Sequence, residues 1–325
     1  MKVLITGAAG FIGGYLVRHC IENGETVLGV DEHPNEPCSE AAFERCDVRD
    51  ARRLSDLMRK FRPERIFHLA AQSSPVLSML QPHRTFDVNV GGTVNLFEAL
   101  RELDLKPVVV VACSSAEYGG LDENGKVPVR ESDPLRPLHP YGVSKVAQDL
   151  LAAQYFQRCS IPAIRMRIFN TTGPGKLDDV CSDVTRRAVE IELGLRQPTL
   201  PVGSLTNCRA IGDVRDLVRG LWLAAERCAA GDVYNIGATR THSVQEVIEL
   251  VRSLVTSSFT VEQDPSLMRS CDERIIRGDI TKFKQCTGWV AEIDLVGTLR
   301  DMLDWWTARL QSGVAFRSQQ TLPQV

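Results

Sequence analysis

The sequence predicts an α/β protein with a doubly wound parallel sheet and a smaller α/β lobe at the C-terminal end. Two observations carry this prediction. Short apolar runs alternate with helical patterns through the first 170 residues, which is typical of a parallel sheet with helices on both faces. Three glycines also stand between the first run and the first helical pattern. The 325 residues are enough for two domains or one large unit.

The first β-α-β unit follows from the period of its apolar residues. Residues 3–6 form a short apolar run that predicts a strand, and residues 11–22 carry apolar side chains at helical spacing. Residues 26–30 predict a second strand, which ends at Asp31. By the same criteria, further strands are predicted at residues 65–69, 107–113 and 163–169, and further helices at residues 51–61, 82–103 and 140–159.

The pattern changes after Asn170, where glycine and proline punctuate residues 171–175. This change predicts a boundary between a first unit, residues 1–170, and a lobe, residues 171–312. In the lobe, helices are predicted at residues 179–195, 214–228, 244–255 and 295–310, and short strands at residues 200–201, 209–211 and 233–236. Residues 313–325 have no periodicity and are expected to form a frayed tail.

Charge and hydropathy argue against two classes of partner. The chain has 38 Lys and Arg against 41 Asp and Glu, a net charge of -3, so no basic excess exists to neutralise a nucleic-acid backbone. The longest apolar run in mid-chain, residues 108–113, is far shorter than the ~20 residues that span a bilayer. The first apolar run is too short for a signal peptide. We therefore expect no nucleic acid, no membrane contact and a cytoplasmic location.

Ten cysteines are scattered singly along the chain, with no Cys-x-x-Cys pair. This spacing predicts neither a disulfide framework nor a metal site. We expect reduced thiols that mostly fill small apolar spaces.

The glycines Gly7, Gly10 and Gly13 occupy the turn from the first strand to the first helix. Glycines there permit a tight turn and let backbone N–H groups approach a pyrophosphate, which is the Rossmann-type arrangement. Asp31 would accept hydrogen bonds from an adenosine ribose diol and repel a 2′-phosphate. The turn therefore predicts NAD(H) as the preferred cofactor. NADP(H) remains the alternative, because an arginine from elsewhere in the fold could bind the phosphate.

Tyr141 and Lys145 lie four residues apart at the start of a predicted helix, so both face the same side. A nearby ammonium is expected to lower the pKa of the phenol. Ser114 follows the fourth predicted strand, at the carboxyl edge where open α/β sheets bind ligands. A hydroxyl, a phenol and an ammonium at these places predict redox chemistry between a carbonyl and an alcohol.

Several segments together resemble the extended short-chain dehydrogenases/reductases of the nucleotide-sugar branch, over residues 1 to about 310. The matching segments are residues 6–13, 46–48, 68–71, 89–93, 114–119, 140–145 and 167–170. The resemblance implies catalysis by Ser114, Tyr141 and Lys145. The cofactor contacts that it implies are Gly7, Gly10, Phe11, Ile12, Gly13, Asp31, Asp47, Val48, Leu69, Ala70, Ala71, Asn89, Tyr141 and Lys145. The substrate contacts that it implies are Ser115, Ala116, Asn170, Val202, Arg209 and Arg269. His68 is either a satisfied core histidine or an active group.

The C-terminal half is similar to that of enzymes that act on GDP-deoxyhexoses. The resemblance implies NAD(P)H-dependent reduction of the 4-keto group of a GDP-4-keto-6-deoxyhexose, as in the conversion of GDP-4-dehydro-6-deoxy-D-mannose to GDP-D-rhamnose. In related 4,6-dehydratases, a Glu stands two positions after the residue that matches Ser114, and here that position is Ala116. Glu117 is a poor substitute if the segment is extended, since adjacent side chains then point to opposite faces. Phe11 and Ile12 also stand where GDP-mannose dehydratases carry Gln and Asp.

Three alternatives stay open. A nucleotide-sugar C-4 epimerase would use the same three residues with a tightly held NAD, and a GDP-mannose 4,6-dehydratase would share the C-terminal half. A catalytically silent NAD sensor is the third alternative, although a sensor needs no Ser-Tyr-Lys set.

The helices at residues 82–103 and 140–159 carry apolar residues beyond one stripe. The apolar residues in question are Val94, Leu96, Phe97, Leu100, Leu150, Leu151, Tyr155 and Phe156. Since related enzymes pair these helices, the resemblance implies a homodimer. The alternative is that both helices simply pack on the sheet.

Overall fold

Seven parallel strands form the central sheet of the computed structural model, which describes residues 1–33, 40–119, 127–267 and 275–312. The strand order is β11-β6-β5-β4-β1-β2-β3. The chain moves outward from β1 in one direction and then returns to build the other half, which is the doubly wound topology. This confirms the predicted fold class. The strands of this sheet are β1 Lys2–Thr6, β2 Thr26–Asp31, β3 Ala42–Arg45, β4 Arg65–His68, β5 Val108–Ser114, β6 Ala163–Ile168 and β11 Val233–Ile236.

Helices cover both faces of the sheet because its strands are apolar on both sides. Val3 and Ile5 of β1 point into one apolar layer, and Leu4 between them points into the other. The first layer contains α1 Phe11–Glu22 and α8 Val214–Arg227. The second contains α2 Ala51–Phe61, α5 Gly92–Glu102 and α6 Pro140–Cys159. The predicted bounds of α1, α2 and α6 are confirmed to the residue.

The single helix predicted at residues 82–103 is wrong. The structure has α3 Pro75–Leu80, α4 Pro82–Phe86, a π-helical turn Asp87–Gly91 and then α5. Each of the two prolines stands at a helix start, where its missing N–H costs nothing. The π turn introduces one extra residue per turn, and it turns the Asn89 side chain into the interior.

The C-terminal lobe has its own apolar core, formed largely by three helices. These helices are α7 Val180–Glu192, α9 Val244–Leu254 and α11 Leu295–Gln311. Short strand pairs and a three-stranded sheet complete the lobe. Their strands are β7 Thr171–Thr172, β8 Thr199–Val202, β9 Cys208–Arg209, β10 Gly212–Asp213, β12 His242–Ser243, β13 Thr260–Gln263 and β14 Ile275–Ile276.

The chain returns to the central sheet after residue 170. β11 pairs in parallel with β6, and α8 packs beneath the sheet together with α10 Thr281–Thr287. The first unit therefore continues beyond the predicted boundary at Asn170, because part of the later chain completes it. The predicted tail, residues 313–325, lies outside the described residues.

The eight cysteines that the structure describes are all free, and four of them are buried. Among the described residues, no helix is both long and apolar enough to cross a membrane.

The Thr93 hydroxyl holds β4, the π turn and α6 together. It donates its one hydrogen to the Asn89 carbonyl at 2.6 Å and accepts from Gln148 Nε2 at 2.7 Å. His68 Nε2, at 3.0 Å, must therefore donate to Thr93, and His68 Nδ1 then accepts from Thr6 Oγ1 at 2.8 Å. Burial lowers the pKa of His68 to about 3, with the Lys145 charge acting in the same direction. His68 is thus a neutral, satisfied core histidine.

Thr93→Val keeps the shape of the side chain and removes this hydroxyl. We expect the free energy of unfolding to fall by about 3 kcal/mol, since several buried polar groups lose their partner. Denaturant unfolding measures the loss. Thr199→Val, at a partly exposed threonine with a weak 3.4 Å contact to Thr260, is the control. Equal stability of the two variants would contradict the role given to Thr93.

Candidate active site

The carboxyl ends of the parallel strands meet at one edge of the sheet. The glycine turn follows β1, Asp31 ends β2, Leu69 follows β4, Ser114 ends β5 and Asn170 lies just beyond β6. The topology therefore brings together residues that are far apart in the sequence. Ligands of open α/β sheets bind at this edge.

The glycine turn packs backbone against backbone so closely that no side chain fits at Gly7 or Gly13. A Cβ at Gly13 would lie 2.0 Å from the Gly7 carbonyl oxygen, and a Cβ at Gly7 would lie 2.7 Å from the Ala70 nitrogen. Gly7 also has a φ of 73°, which side chains rarely adopt. Helix α1 starts after Gly10 and has no side-chain cap. Its first N–H groups are therefore open to a phosphate, and the turn fits a dinucleotide.

Asp31 faces this turn from the end of β2. Its carboxylate accepts the Ala9 N–H and the His33 N–H, both at 3.1 Å. Arg45 lies directly opposite Asp31 on β3, and its Nε donates to the Glu32 carbonyl. An arginine thus lies beside Asp31 on the neighbouring strand.

Three other predicted cofactor contacts are engaged within the chain. The Asp47 carboxylate is paired with the Arg49 guanidinium at 2.5 Å, and hydrogen bonds from Arg49 hold the Asp47 pKa below its usual range. Val48 is buried against Gly92. Asn89 is fully buried and bonds Ser144 Oγ and the backbone of Gln72. The Asn89 side chain therefore ties the loop after β4 to α6, and its contact with the nicotinamide half remains a prediction.

Ser114, Tyr141 and Lys145 come together where β5 meets the first turns of α6. The Lys145 Nζ donates to the Ala112 carbonyl at 2.8 Å and lies 5.8 Å from the centre of the Tyr141 ring. A hydrogen bond links Ser114 and Tyr141. Helix α6 is held in place at its start by His139, whose Nδ1 accepts the Gly142 N–H at 3.0 Å. A carbonyl placed among these groups would meet a hydroxyl and a phenol.

The predicted lowering of the Tyr141 pKa is wrong. Burial raises the pKa of Tyr141 to about 12, and the hydrogen bond with Ser114 only partly offsets it. Burial also lowers the pKa of Lys145 to about 8. The phenol thus carries its proton at neutral pH, which is the state that an acid needs in order to protonate a developing alkoxide.

The segment after Ser114 is a 3₁₀ turn, Ser115–Glu117, and is not extended. The prediction of an extended segment around Glu117 is therefore wrong, although the Glu117 side chain is buried away from the edge of the sheet. Glu117 is fully buried and accepts the Ser114 N–H at 2.8 Å. Ala116 is half-buried and holds no proton donor or acceptor in its side chain. Position 116 therefore contributes no carboxylate to the site.

A backbone hydrogen bond joins the lobe to Asn170. The Gly212 N–H donates to the Asn170 carbonyl at 2.9 Å, three residues beyond Arg209. Asn170 Nδ2 has no hydrogen-bond partner among the described residues, which is consistent with an anionic ligand there. Val202 instead packs into the core of the lobe, so its side chain is not available to a substrate. Arg269 lies outside the described residues.

Sequence reasoning missed Lys176. Its Nζ lies 5.3 Å from the centre of the Phe11 ring, at the start of α1, and it pairs with Asp178 at 3.0 Å. The loop that carries it is anchored by Tyr15, whose hydroxyl donates to the Pro174 carbonyl. A lysine directly after the Gly-Pro-Gly segment was the available signal, and it adds a cation beside the glycine turn.

Known proteins show the same architecture. The chain is 28% identical to the GDP-6-deoxy-D-mannose reductase of Pseudomonas aeruginosa, over 95% of this chain and 98% of that protein. The solved structure of RMD from Pseudomonas aeruginosa complexed with NADPH superposes with a TM-score of 0.85, at 28% identity, over 95% of this chain and 99% of that one. A Thermus thermophilus UDP-glucose 4-epimerase in complex with NAD gives 0.84 at 28% identity, over 94% and 99%.

The family model described as GDP-mannose 4,6 dehydratase matches residues 4–302. This match includes the glycine turn, the Ser-Tyr-Lys set and most of the lobe. The chain therefore belongs to the GDP-mannose 4,6-dehydratase family of nucleotide-sugar enzymes.

Proposed function

We propose that this enzyme uses NAD(P)H to reduce the 4-keto group of a GDP-4-keto-6-deoxyhexose. The observation that carries the proposal is a Ser-Tyr-Lys set with no carboxylate facing it from position 116. Removal of water across carbons 5 and 6 needs a group that takes one proton and returns another. Reduction of a ketone needs only a hydride and one proton, and Tyr141 can supply that proton.

Tyr141, Ser114 and Lys145 have separate roles in this reduction. Tyr141 gives its proton to the oxygen of the substrate as the hydride reaches the carbon, while the Ser114 hydroxyl orients that oxygen. The Lys145 ammonium stabilises the phenolate that remains and would bind the nicotinamide ribose. The cofactor, when bound, supplies the hydride.

The nucleotide half of the substrate would bind beneath the lobe. The Asn170 Nδ2 has no hydrogen-bond partner among the described residues, and it would donate to a diphosphate. Arg209, on β9, would supply a cation. The relative from Pseudomonas aeruginosa, named a GDP-6-deoxy-D-mannose reductase, supports a GDP-linked sugar as the substrate.

For the cofactor, Asp31 favours NAD(H), because its carboxylate would repel a 2′-phosphate. Arg45, opposite Asp31 on the adjacent strand, and the NADPH in the RMD structure support NADP(H) as the alternative. The ratio of kcat/KM with NADH to that with NADPH distinguishes the two.

The second candidate is a C-4 epimerase, favoured by the similarity to the NAD-bound Thermus thermophilus enzyme. An epimerase oxidises and then reduces the same sugar, so it consumes no cofactor. A reductase consumes one reduced cofactor for each product.

The decisive assay gives the protein reduced cofactor and GDP-4-keto-6-deoxymannose. We expect oxidation of one cofactor per sugar and no turnover of GDP-mannose. NMR of the product identifies the configuration at carbon 4. Turnover of GDP-mannose, or interconversion of C-4 epimers without net cofactor oxidation, would contradict the proposal.

Tyr141→Phe tests the acid directly. We expect kcat to fall by about 10²–10⁴-fold, since the variant cannot transfer the proton, whereas cofactor binding changes little. Stopped-flow or steady-state cofactor oxidation measures kcat, and fluorescence titration measures cofactor affinity. Tyr155→Phe, on the same helix but bonded to Glu98, is the matched control and should keep its activity. Similar activities of the two variants would contradict the role of Tyr141.

The same enzyme is proposed to act as a homodimer through α3, α4 and α6. Most of the apolar residues that suggested this from sequence pack inside the chain, including Leu96, Phe97 and Leu100. The proposal rests instead on the exposed side chain of Leu150. The exposed apolar side chains that accompany it on these helices are Met79, Leu80, Phe86 and Val143.

Leu150→Asp should convert the dimer to a monomer, because it places a charge among the exposed apolar side chains of these helices. Sedimentation velocity at micromolar concentration measures the change. Leu195→Asp, at a leucine that is even more exposed but follows α7, should leave the dimer intact. A wild-type protein that sediments only as the 36.0 kDa species would reject the dimer.

A further inference from the structure

A cluster of buried ionisable groups lies directly behind the catalytic Ser114. Glu117 and Asp149 are both fully buried, and Arg167 between them is only 4% exposed. Cys113, Glu117 and Asp149 bring their sulfur and carboxylate oxygens within 4.8 Å of one another. The guanidinium of Arg167 already lies against both carboxyls, so this cluster is an ionic network and not an open metal site.

The hydrogen bonds of this network leave one carboxyl oxygen without a donor. Arg167 Nε lies 2.9 Å from Asp149 Oδ2 and 3.1 Å from Glu117 Oε2, but it has a single hydrogen. That hydrogen bonds to Asp149. The Nη1 of the same guanidinium donates to the Tyr118 hydroxyl and to the Glu131 carbonyl. Glu117 Oε2 is left buried without a hydrogen-bond partner among the described residues.

The other oxygen of Glu117 has a defined task. Oε1 accepts the backbone N–H of Ser114 at 2.8 Å. The Ser114 hydroxyl in turn accepts the Ala116 N–H at 3.2 Å, which closes a capping box around the 3₁₀ turn. The orientation of the catalytic serine therefore depends on the carboxyl of Glu117.

The charges around Glu117 come from every element that packs against it. Strand β6 contributes Arg165 and Arg167, and α6 contributes Asp149, Lys145 and Tyr141. Cys113 lies on β5, while Tyr118 and Glu131 come from the segment between β5 and α6. Asp149 already takes one hydrogen bond from each arginine. Arg165 lies at the edge of the cluster with its side chain 13% exposed, and it pairs with Asp149 at 2.6 Å.

We propose that Glu117 is a positioning residue for the reduction, whose buried carboxyl carries a proton in the working enzyme while it holds the backbone of Ser114. This inference rests on the proposed function. A protonated Glu117 carries a hydrogen of its own on Oε2 and still accepts at Oε1. Its neutral state also removes the repulsion between two carboxylates whose oxygens lie within 4.8 Å of each other. Glu117 touches neither the substrate nor the cofactor in this proposal, and it acts through Ser114.

The titration of Glu117 supports the same reading. Burial, followed by the nearby Asp149 charge, raises the pKa of Glu117 to about 8. When Glu117 ionises, its negative charge raises the pKa values of Tyr141 and Lys145. The alkaline side of the activity profile should therefore contain a contribution from a residue that is not at the site itself.

The first test needs no substrate. In the intact protein at pH 7, infrared spectroscopy should show the C=O band of a protonated carboxyl that disappears in Glu117→Gln. Between pH 4.5, the usual pKa of a glutamate, and pH 8, the folded chain keeps a proton that the unfolded chain releases, so unfolding becomes easier as pH rises. Glu117→Gln has no carboxyl that titrates in this range. The Tm of Glu117→Gln relative to that of the wild type should therefore rise by about 5 °C between pH 5 and pH 8.

The second test separates positioning from structure. Glu117→Ala leaves the Ser114 N–H without its acceptor, and kcat should fall about tenfold with little change in KM. Glu117→Gln, the neutral isostere, should restore most of kcat and remove one ionisation from the alkaline limb of the kcat profile. Glu131→Gln, at a neighbouring carboxyl that accepts the Asn235 N–H, is the matched control and should keep the wild-type profile.

Two results would overturn the proposal. One is the absence of the infrared band together with a lower Tm of Glu117→Gln at every pH, which would mean that Glu117 is an ionised partner of Arg167. The other is wild-type kcat in a folded Glu117→Ala. If instead the wild type reduces no keto sugar, the proposed function fails while the infrared and Tm results still decide the state of Glu117.

Discussion

The contact between the π turn before α5 and the start of α6 is the constraint on which the active site depends. Thr93 supplies the hydroxyl at its centre, and Asn89 extends it to Ser144, one residue before Lys145. These bonds lie in an apolar layer where an unmade hydrogen bond costs more than in water. The register of α6 is therefore determined by polar atoms, although apolar packing holds it on the sheet. The positions of Tyr141 and Lys145 therefore depend on the register of α6.

Burial then sets the ionisation of the same groups. It keeps the phenol of Tyr141 protonated, and it brings the pKa of Lys145 to about 8. The pKa of Tyr141 rises and that of Lys145 falls for the same reason, because a low dielectric disfavours the charged form of each group. The Tyr141 proton is thus available at neutral pH. The sequence suggested the reverse for Tyr141, because spacing shows which charges are near but not how much water has been removed.

Local signals predicted much of the fold, and long-range contacts explain the rest. Helices α1, α2 and α6 have clear periods and were predicted to the residue. Residues 82–103 were not, because a π turn keeps the apolar composition of a helix while it shifts the register. The pairing of β11 with β6 joins residues about 70 apart, and no local pattern encodes it. At the candidate site, the glycine turn and Ser-Tyr-Lys set were visible as motifs, whereas the orientations of Glu117 and Lys176 required the structure.

A shift of one residue separates two kinds of chemistry at the end of β5. Position 116 is half-buried, whereas Glu117 follows the 3₁₀ turn into the protein and bonds the backbone of Ser114. In our proposal, the carboxyl of Glu117 therefore transfers no proton to the substrate and instead positions Ser114. Its burial is tolerated because Arg167 and Asp149 provide a polar environment for it. A carboxyl is thus present one residue further along the chain, and it is turned into the protein.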